Sequence, residues 1–191
     1  MAQTYPAIAQ RARAEGAEIH WGDETGVRSD CQHGRSDAPR GRTPVVRRRA
    51  RRFSSNMIST VTNQGKVRWM IYRETLSRAV FIRFLERPIK GAGRKAFLIV
   101  DNLKVHHSAP VEAWLLVHTA QIEVFHLPSY SPERNPDEYL NGDLKTAVTS
   151  TTQAHNLEQL ENKIIRHTRK LQKSPKRVAS YFRNQYVQYA A

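Results

Sequence analysis

The amino-acid sequence predicts a mixed α/β fold in which helices cover a sheet. The first observation is the order of the predicted elements, which runs strand, hairpin, helix, buried strand, helix, strand, helix. The second is the run Ala96–Val100, AFLIV, which is wholly apolar, as a central strand buried on both faces would be. The third is that residues 151–191 form two basic stretches, 156–173 and 175–190, both predicted to be helical.

The first half of the chain supplies the start of the sheet. Residues 1–18 are rich in Ala and Arg and are predicted to be helical, and residues 18–21 alternate apolar and polar side chains as a strand does. Residues 28–52 are dominated by Gly, Pro, Ser and Arg, which is typical of a loop. Two strands then flank a predicted turn at residues 63–65, Asn-Gln-Gly, so this part reads as a hairpin.

The second half alternates helices with strands. Apolar residues at helical spacing predict a helix over residues 75–88, and a second helix is predicted over residues 109–120. Residues 122–127 form another strand. After a proline-rich break, a helix is expected to begin near residue 136, where Pro136 occupies the first turn and Asn135 caps it, and to end at about residue 148.

Charge and cysteine content narrow the class of protein. The chain carries 31 Lys and Arg against 17 Asp and Glu, a formal net charge of +14, which favours a polyanionic partner such as nucleic acid. Cys31 is the only cysteine, so an internal disulfide and a cysteine-rich zinc site are both excluded. The N-terminus lacks the apolar core of a signal peptide, and we therefore expect a cytoplasmic, nucleoid-associated protein.

Acidic residues follow or begin elements where ligands usually gather. Asp23 and Glu24 are expected to end the first strand, Asp101 ends the buried strand Ala96–Val100, and Glu138 lies in the first turns of the helix after the prolines. Clustered carboxylates repel one another and need a cation, and hard oxygen ligands select Mg²⁺ or Mn²⁺. An acid at a strand end also commonly serves a turn, so the pattern alone leaves that alternative open.

Three motifs in this order resemble those of DDE-superfamily transposases, in the bacterial insertion-sequence branch related to mariner elements. They are WGDETGVRSD, FLIVDNLKVHHS and LPSYSPERNPDEYLNGDLK, and the last of these is the most specific. The resemblance covers roughly residues 5–150. It implies an RNase H-like fold, two Mg²⁺ or Mn²⁺ ions, cleavage at transposon ends and transfer of the freed 3′-hydroxyl strand to target DNA.

The resemblance also assigns residues. Asp23, Asp101 and Glu138 match the three catalytic, metal-binding acids, and the neighbouring acids Glu24, Asp137 and Asp143 are then non-catalytic. Asn102 follows the second acid as the motif usually has it. His106 stands where the family tends to carry a histidine, and it is interpreted, with Asn102 and Asn135, as shaping the site. A histidine of purely structural role is the alternative at position 106.

One departure from the family pattern concerns the N-terminus. Relatives normally carry a helix-turn-helix region that reads the transposon ends, whereas here the first motif arrives at residue 23. We therefore interpret residues 1–18 as the helical remnant of an upstream region, 19–150 as the catalytic domain and 151–191 as a basic helical tail. A homodimer on double-stranded DNA, and a separately encoded helix-turn-helix subunit, are the expected partners.

An arginine-rich segment is predicted to contact DNA phosphates. Seven arginines fall between residues 40 and 52, and guanidinium groups bind phosphate in bidentate fashion. They are Arg40, Arg42, Arg47, Arg48, Arg49, Arg51 and Arg52. A solvated run of charge is the alternative reading of this segment.

Two other functions remain open on the sequence. One is a nuclease of the same fold, of the Holliday-junction or RNase H type, which cuts without strand transfer. The other is an inactive DNA-binding remnant of a truncated transposase, which would share the charge but would not need all three acids.

Overall fold

The computed structural model describes residues 4–30, 41, 52–128, 132–150 and 153–191. Five strands form one sheet in the order β3-β2-β1-β4-β5. Strands β1, β2 and β3 are antiparallel neighbours, whereas β4 and β5 run parallel to β1. The strands are β1 (Glu18–Arg28), β2 (Ser54–Val61), β3 (Val67–Tyr72), β4 (Ala96–Val100) and β5 (Ile122–His126). The predicted mixed sheet is confirmed, and β1 and β4 are neighbours.

Helices cover both faces of the sheet. One face carries the buried side chains of β1 that include Trp21, packed with residues of α1, α4, α5 and α6. The other face carries Ile58 and Leu98, packed with α2 and α3. The helices are α1 (Tyr5–Glu15), α2 (Arg78–Ala92), α3 (Ala109–Val117), α4 (Asp137–Thr149), α5 (Leu157–Gln172) and α6 (Pro175–Tyr181). Among the described residues, no helix is long and apolar enough to cross a membrane.

Strand β1 is longer than the sequence indicated, and the expectation that Asp23 and Glu24 end it is wrong. The strand continues to Arg28 because β2 pairs with it throughout, from Trp21 opposite Val61 to Arg28 opposite Ser54. The sequence signal fades after residue 21 because polar side chains follow on both faces. Backbone pairing with β2, rather than alternation of side chains, maintains the strand there.

Helix α2 also extends beyond its predicted end. It runs to Ala92 and contains Pro88, whose ring is buried with Phe84 and Leu85 on the face that meets the sheet. A proline inside a helix removes one backbone hydrogen bond. Burial of the apolar face compensates for that loss here. Helix α3 and the second tail helix are shorter than predicted, and end at Val117 and Tyr181.

The tail helices belong to the packed layers of the fold. Leu160, Ile164 and Leu171 of α5 are fully buried, and they lie in the same apolar cluster as Trp21 of β1. The opposite face of α5 is exposed and basic. A division of the chain at residue 150 stays a prediction, but the side chains on either side of it share one core.

Candidate active site

The three predicted acids come from three different elements. Asp23 lies in the middle of β1, Asp101 directly follows β4, and Glu138 lies in the first turn of α4. Strands β1 and β4 are parallel, with Trp21 opposite Ile99, so the chain brings Asp23 and Asp101 to the same end of the sheet. Helix α4 contacts β1 and carries Glu138 to this end.

Asp23 is crowded by negative charge. Burial has the largest effect on its carboxyl group, and the carboxylates of Asp137, Glu138, Glu24 and Asp101 add to it, so its pKa rises to about 9. Each of these neighbours disfavours the ionised form of Asp23. Glu138 and Asp101 are both among these neighbours, so the three predicted acids lie in one region of negative charge.

Asn141 holds the Asp23 carboxylate in place. Its side-chain amide donates a hydrogen bond to Oδ2 of Asp23 over 2.8 Å, and Asn141 is fully buried. Asn141 lies three residues after Glu138, so both side chains project from one face of α4. Asn141 was not among the residues predicted from the sequence, although its spacing from Glu138 was a signal that could have found it.

The start of α4 is fastened to the sheet by buried polar groups. The Asn135 amide donates to the backbone carbonyl of Gly22 over 2.9 Å, and its side-chain oxygen accepts from the Asp137 N–H over 3.1 Å. The Ser59 hydroxyl donates to Asp137 Oδ2 over 2.7 Å. Helix α4 begins one residue later than predicted, because Pro136 is its N-cap residue, and the Asn135 oxygen accepts from the first N–H of the helix. Burial raises the pKa of Asp137 well above its usual range, while the Ser59 hydrogen bond opposes that rise.

Asp101 is positioned by histidines. His106 Nδ1 lies 3.1 Å from Asp101 Oδ1 and 3.1 Å from its backbone carbonyl, and His126 Nδ1 lies 3.3 Å from the same carbonyl. The His106 ring is buried against Phe81, with ring centroids 4.2 Å apart. Such packing fixes the imidazole, and with it the orientation of the Asp101 carboxylate.

Glu24, which the resemblance assigns as non-catalytic, lies close to Asp101. Glu24, Asp101 and His106 each offer a ligand atom, and these atoms lie within 4.8 Å of one another. Burial and the Asp101 charge raise the pKa of Glu24 to about 7. Glu24 and Asp23 are consecutive in β1 and point to opposite faces of the sheet. The proximity of Glu24 to Asp101 depends on β1 continuing past residue 21, which the sequence did not indicate.

These side chains fit a divalent cation. Within the described part of the chain, no Lys or Arg forms an ion pair with Asp23, Glu24, Asp101, Asp137 or Glu138. Buried oxygens of Glu24, Asp137 and Asn141 lack hydrogen-bond partners. Carboxylate and amide oxygens are the ligands that Mg²⁺ and Mn²⁺ prefer, and a cation would relieve the mutual repulsion.

The other predicted residues lie further out. Asn102 is exposed, and its side-chain oxygen lies 2.5 Å from His107 Nε2. Asp143 pairs with Arg177 and His167 of the tail helices, away from the acids. Arg52 is exposed and pairs with Asp30 over 3.1 Å. Arg40, Arg42, Arg47, Arg48, Arg49 and Arg51 lie outside the described residues.

We expect the metal-free protein to lose stability as the pH rises from about 4 to about 9. The pKa of Asp23 is about 9 in the fold against an ordinary value of 3.8, so the folded state holds a proton that the unfolded chain releases. Stabilisation from this proton is complete at low pH and is lost as the pH rises through 9. Glu24, with its pKa of about 7, adds a loss of the same sign.

The measurement is the free energy of unfolding in urea, with a chelator present, at several pH values. Asp23→Asn cannot lose a proton and should show a flatter profile, with a gain in stability over wild type that grows up to about pH 9. Glu112→Gln, a change of an exposed acid in α3, serves as the control and should follow the wild type. Parallel profiles for wild type and Asp23→Asn would contradict the crowding described here.

Solved structures with the same architecture include those of the Mos1 mariner transposase. Its paired end complex with Mn matches with a TM-score of 0.68 at 15% identity, over 100% of this chain and 61% of that chain. The strand transfer complex matches with a TM-score of 0.67 at 16% identity, over 100% and 60%. The isolated catalytic domain matches with a TM-score of 0.62 at 12% identity, over 99% and 91%. The fold is therefore RNase H-like, and this chain spans about three fifths of the full Mos1 chains.

No curated protein matches the sequence of this chain. The family described as DDE superfamily endonuclease matches residues 18–161, which include Asp23, Asp101 and Glu138 as well as the strands and helices that carry them. The match covers most of the chain and confirms the resemblance drawn from the three motifs. The chain belongs to the DDE superfamily endonucleases.

Proposed function

We propose that this chain is the catalytic part of a DNA transposase, which cuts at transposon ends and joins the freed strand to target DNA. The observation that supports the proposal is the crowded carboxyl group of Asp23, whose acidic neighbours include Asp101 after β4 and Glu138 in the first turn of α4. Membership of the DDE superfamily endonucleases supports the endonuclease chemistry. The likeness to Mos1 in a strand transfer complex supports the joining step.

We propose Asp23, Asp101 and Glu138 as the ligands of two Mg²⁺ or Mn²⁺ ions. Two such ions, when bound, stabilise the attacking and the leaving oxygen of an in-line phosphoryl displacement. Solved Mos1 complexes contain Mn or Mg, which supports the choice of a divalent metal. The crowding of carboxylates with no Lys or Arg partner in the described chain supports a site that needs added positive charge.

The chain's own residues have two tasks in this proposal. Asn141 and His106 hold the carboxylates of Asp23 and Asp101 by hydrogen bonds, so the ligands are oriented before a metal arrives. Asn135 donates a hydrogen bond to Gly22 of β1, and Ser59 of β2 donates one to Asp137. These two hydrogen bonds fix the first turn of α4 and therefore the position of Glu138. All four side chains act through other residues, and we regard them as positioning residues.

The proposed partner is double-stranded DNA, bound by a homodimer. A formal net charge of +14 supports contact with phosphates. Mos1 structures include a paired-end complex with the left transposon end. We propose that a helix-turn-helix region recognises the transposon ends, either in a longer form of the chain or on a separately encoded subunit. The arginines from Arg40 to Arg52 remain candidates for contacts with the DNA backbone.

A gel that separates cut from joined DNA tests the proposed function. The substrate is a labelled duplex with a pre-cut 3′-hydroxyl end, and a supercoiled plasmid is the target. We expect Mg²⁺-dependent joining of label to plasmid. Cutting of duplex DNA without any joined product would favour the nuclease alternative. DNA binding without cutting or joining, in Mg²⁺ or Mn²⁺, would favour the inactive remnant.

A further inference from the structure

A basic groove runs along the free edge of the sheet, away from the carboxylates. Strand β3 forms this edge, because β2 is its only neighbour among the strands that the structure describes. Arg68 of β3 lies in the groove with Arg83, Arg87 and Lys90 of α2 and with Gln172 at the end of α5. We call this surface, together with the exposed basic side of α5, the β3-edge groove.

The α2 side of the groove is a row of three cations. Arg83, Arg87 and Lys90 are all exposed and follow at spacings of four and three residues, so they share one face of the helix. Arg83 lies 3.3 Å from Glu74, and Lys90 lies 2.8 Å from Glu86. Within the described residues, Arg87 has no ion-pair partner.

The α5 side carries a second row. Arg166, Arg169, Lys170 and Lys173 are exposed, they follow at helical spacing, and they line one surface depression in which no acidic residue takes part. In the part of the chain that the structure describes, none of these four makes an ion pair. Unlike the α2 row, this row therefore keeps its full positive charge for a partner.

Hydrogen bonds fix both rows to the edge strand. The Gln172 side-chain amide donates to the backbone carbonyl of Val67 over 3.0 Å, which anchors the end of α5 to β3. The Arg68 guanidinium donates to the Gly91 carbonyl at the end of α2 over 2.7 Å. Both rows of cations lie on helices, and these hydrogen bonds fix the positions of the rows relative to β3.

The groove is separate from the site of the acids. Strand β2 lies between β3 and β1, so the edge is about 10 Å from the strand that carries Asp23. Arg68 points toward α2, whereas Asp23 points toward α4 on the other face. A ligand in the groove would not occupy the position of a phosphate at the acids.

We propose that the β3-edge groove binds the sugar-phosphate backbone of a DNA duplex outside the segment that is cut. This inference rests on the proposed function for its choice of DNA. Seven residues of helix span about 10 Å, which matches about three base-pair steps at about 3.4 Å each. Arginine and lysine rows of that length fit a polyanion of regular spacing, and they contact phosphates without reading bases.

Protection of the sheet edge against aggregation is an alternative explanation for these cations, but it accounts for fewer of them than DNA binding does. Charges that block an edge are needed on the edge strand itself, and Arg68 serves that purpose. The cations on the exposed side of α5 lie on a helix beside the edge and not on β3 itself, so they contribute little to such protection. Their number and their lack of partners point to an external anion.

The test compares two triple variants that remove equal charge. The groove variant is Arg87→Ala, Arg169→Ala and Lys173→Ala. The control variant is Arg13→Ala, Lys176→Ala and Arg183→Ala, three exposed cations that line neither side of the groove. Binding to a random-sequence duplex is measured by fluorescence anisotropy, without divalent metal, between about 50 and 200 mM salt. Thermal melts check that both variants fold.

We expect the groove variant to lower the slope of log affinity against log salt by about 2 to 3, since each phosphate contact contributes about 0.9. The control variant should change the slope by less than about 0.9, which is the contribution of one phosphate contact. Equal changes in both variants would overturn the proposal, because net charge alone would explain them. A shift from dimer to monomer in the groove variant, with the salt slope unchanged, would also overturn it in favour of a contact between copies.

Failure of this inference can be told apart from failure of the proposed function. DNA binding without metal does not require Asp23, Asp101 or Glu138 to hold a metal ion. If the wild type binds through the groove but neither cuts nor joins DNA, the groove stands and the proposed chemistry fails. If cutting and joining occur with an unchanged salt slope in the groove variant, the chemistry stands and the groove fails.

Discussion

Asp101→Asn should abolish Mg²⁺-dependent cutting of DNA while leaving DNA affinity equal or higher. Asn replaces a charged metal ligand by a neutral one, and the loss of activity should exceed the about 100-fold that changes beside metal ligands cause. The same change removes a negative charge next to the bound phosphates, so repulsion between protein and DNA decreases. The amide keeps the size of the side chain and can still accept from the Leu103 N–H.

Rates of cutting and joining in Mg²⁺, with anisotropy for DNA binding, measure both halves of this prediction. Glu112→Gln is the matched control, because it removes one negative charge from an exposed position in α3. The control should cut at the wild-type rate. An Asp101→Asn enzyme that retains a tenth or more of the wild-type rate would show that Asp101 is not a metal ligand.

Leu160→Ala should destabilise the whole protein by about 2 to 5 kcal/mol, the usual cost of emptying a fully buried leucine site. Leu160 is in α5, in the segment that the sequence suggested was a tail, yet it shares a buried cluster with Trp21 of the sheet. Lys170→Ala, an exposed change in the same helix, should alter the free energy of unfolding by no more than about 0.5 kcal/mol.

Tryptophan fluorescence provides a selective readout for this test. All three tryptophans lie before residue 150, in β1, β3 and α3, and none is in α5, so the midpoint of their emission change follows unfolding of the sheet. If the tail and the sheet unfold together, Leu160→Ala lowers the urea midpoint seen by fluorescence. If α5 were a separate unit, helix content would fall early while the fluorescence midpoint stayed at its wild-type value.

The sequence was most informative where a strand is buried on both faces. Strand Ala96–Val100 has the bounds that the sequence predicted, because a run of five apolar residues is typical of a strand that is buried on both faces. Strand β1 was harder to predict, because Asp23, Glu24 and Thr25 break the alternation and only pairing with β2 maintains the strand. The assignment of the three acids stays a prediction, and Asp23 lies in mid-strand and not at a strand end.

The surroundings of the acids depend on contacts between distant parts of the chain. The hydrogen bond from Asn141 to Asp23 joins residues 118 positions apart, and that from Ser59 to Asp137 joins residues 78 apart. Motif spacing can indicate that Asn141 shares a helix face with Glu138. It cannot indicate that Ser59 of β2 meets that helix, or that Glu24 lies beside Asp101 and His106.

The central claim is that Asp23, Asp101 and Glu138 hold the divalent metal. Two arrangements compete, because Glu24, Asp101 and His106 also lie within metal-binding reach of one another. A nitrogen ligand and a carboxylate from the other face of β1 would make a different site, which shares only Asp101 with the first.

A crystal structure of the protein soaked with Mn²⁺, with the ion located by its anomalous scattering, tests this claim most directly. We predict an Mn²⁺ ion bound by oxygens of both Asp23 and Asp101 at about 2.0 to 2.6 Å, with Glu138 contacting this ion or a second one. A single ion bound by Glu24, Asp101 and His106, with no contact to Asp23 or Glu138, would contradict the account.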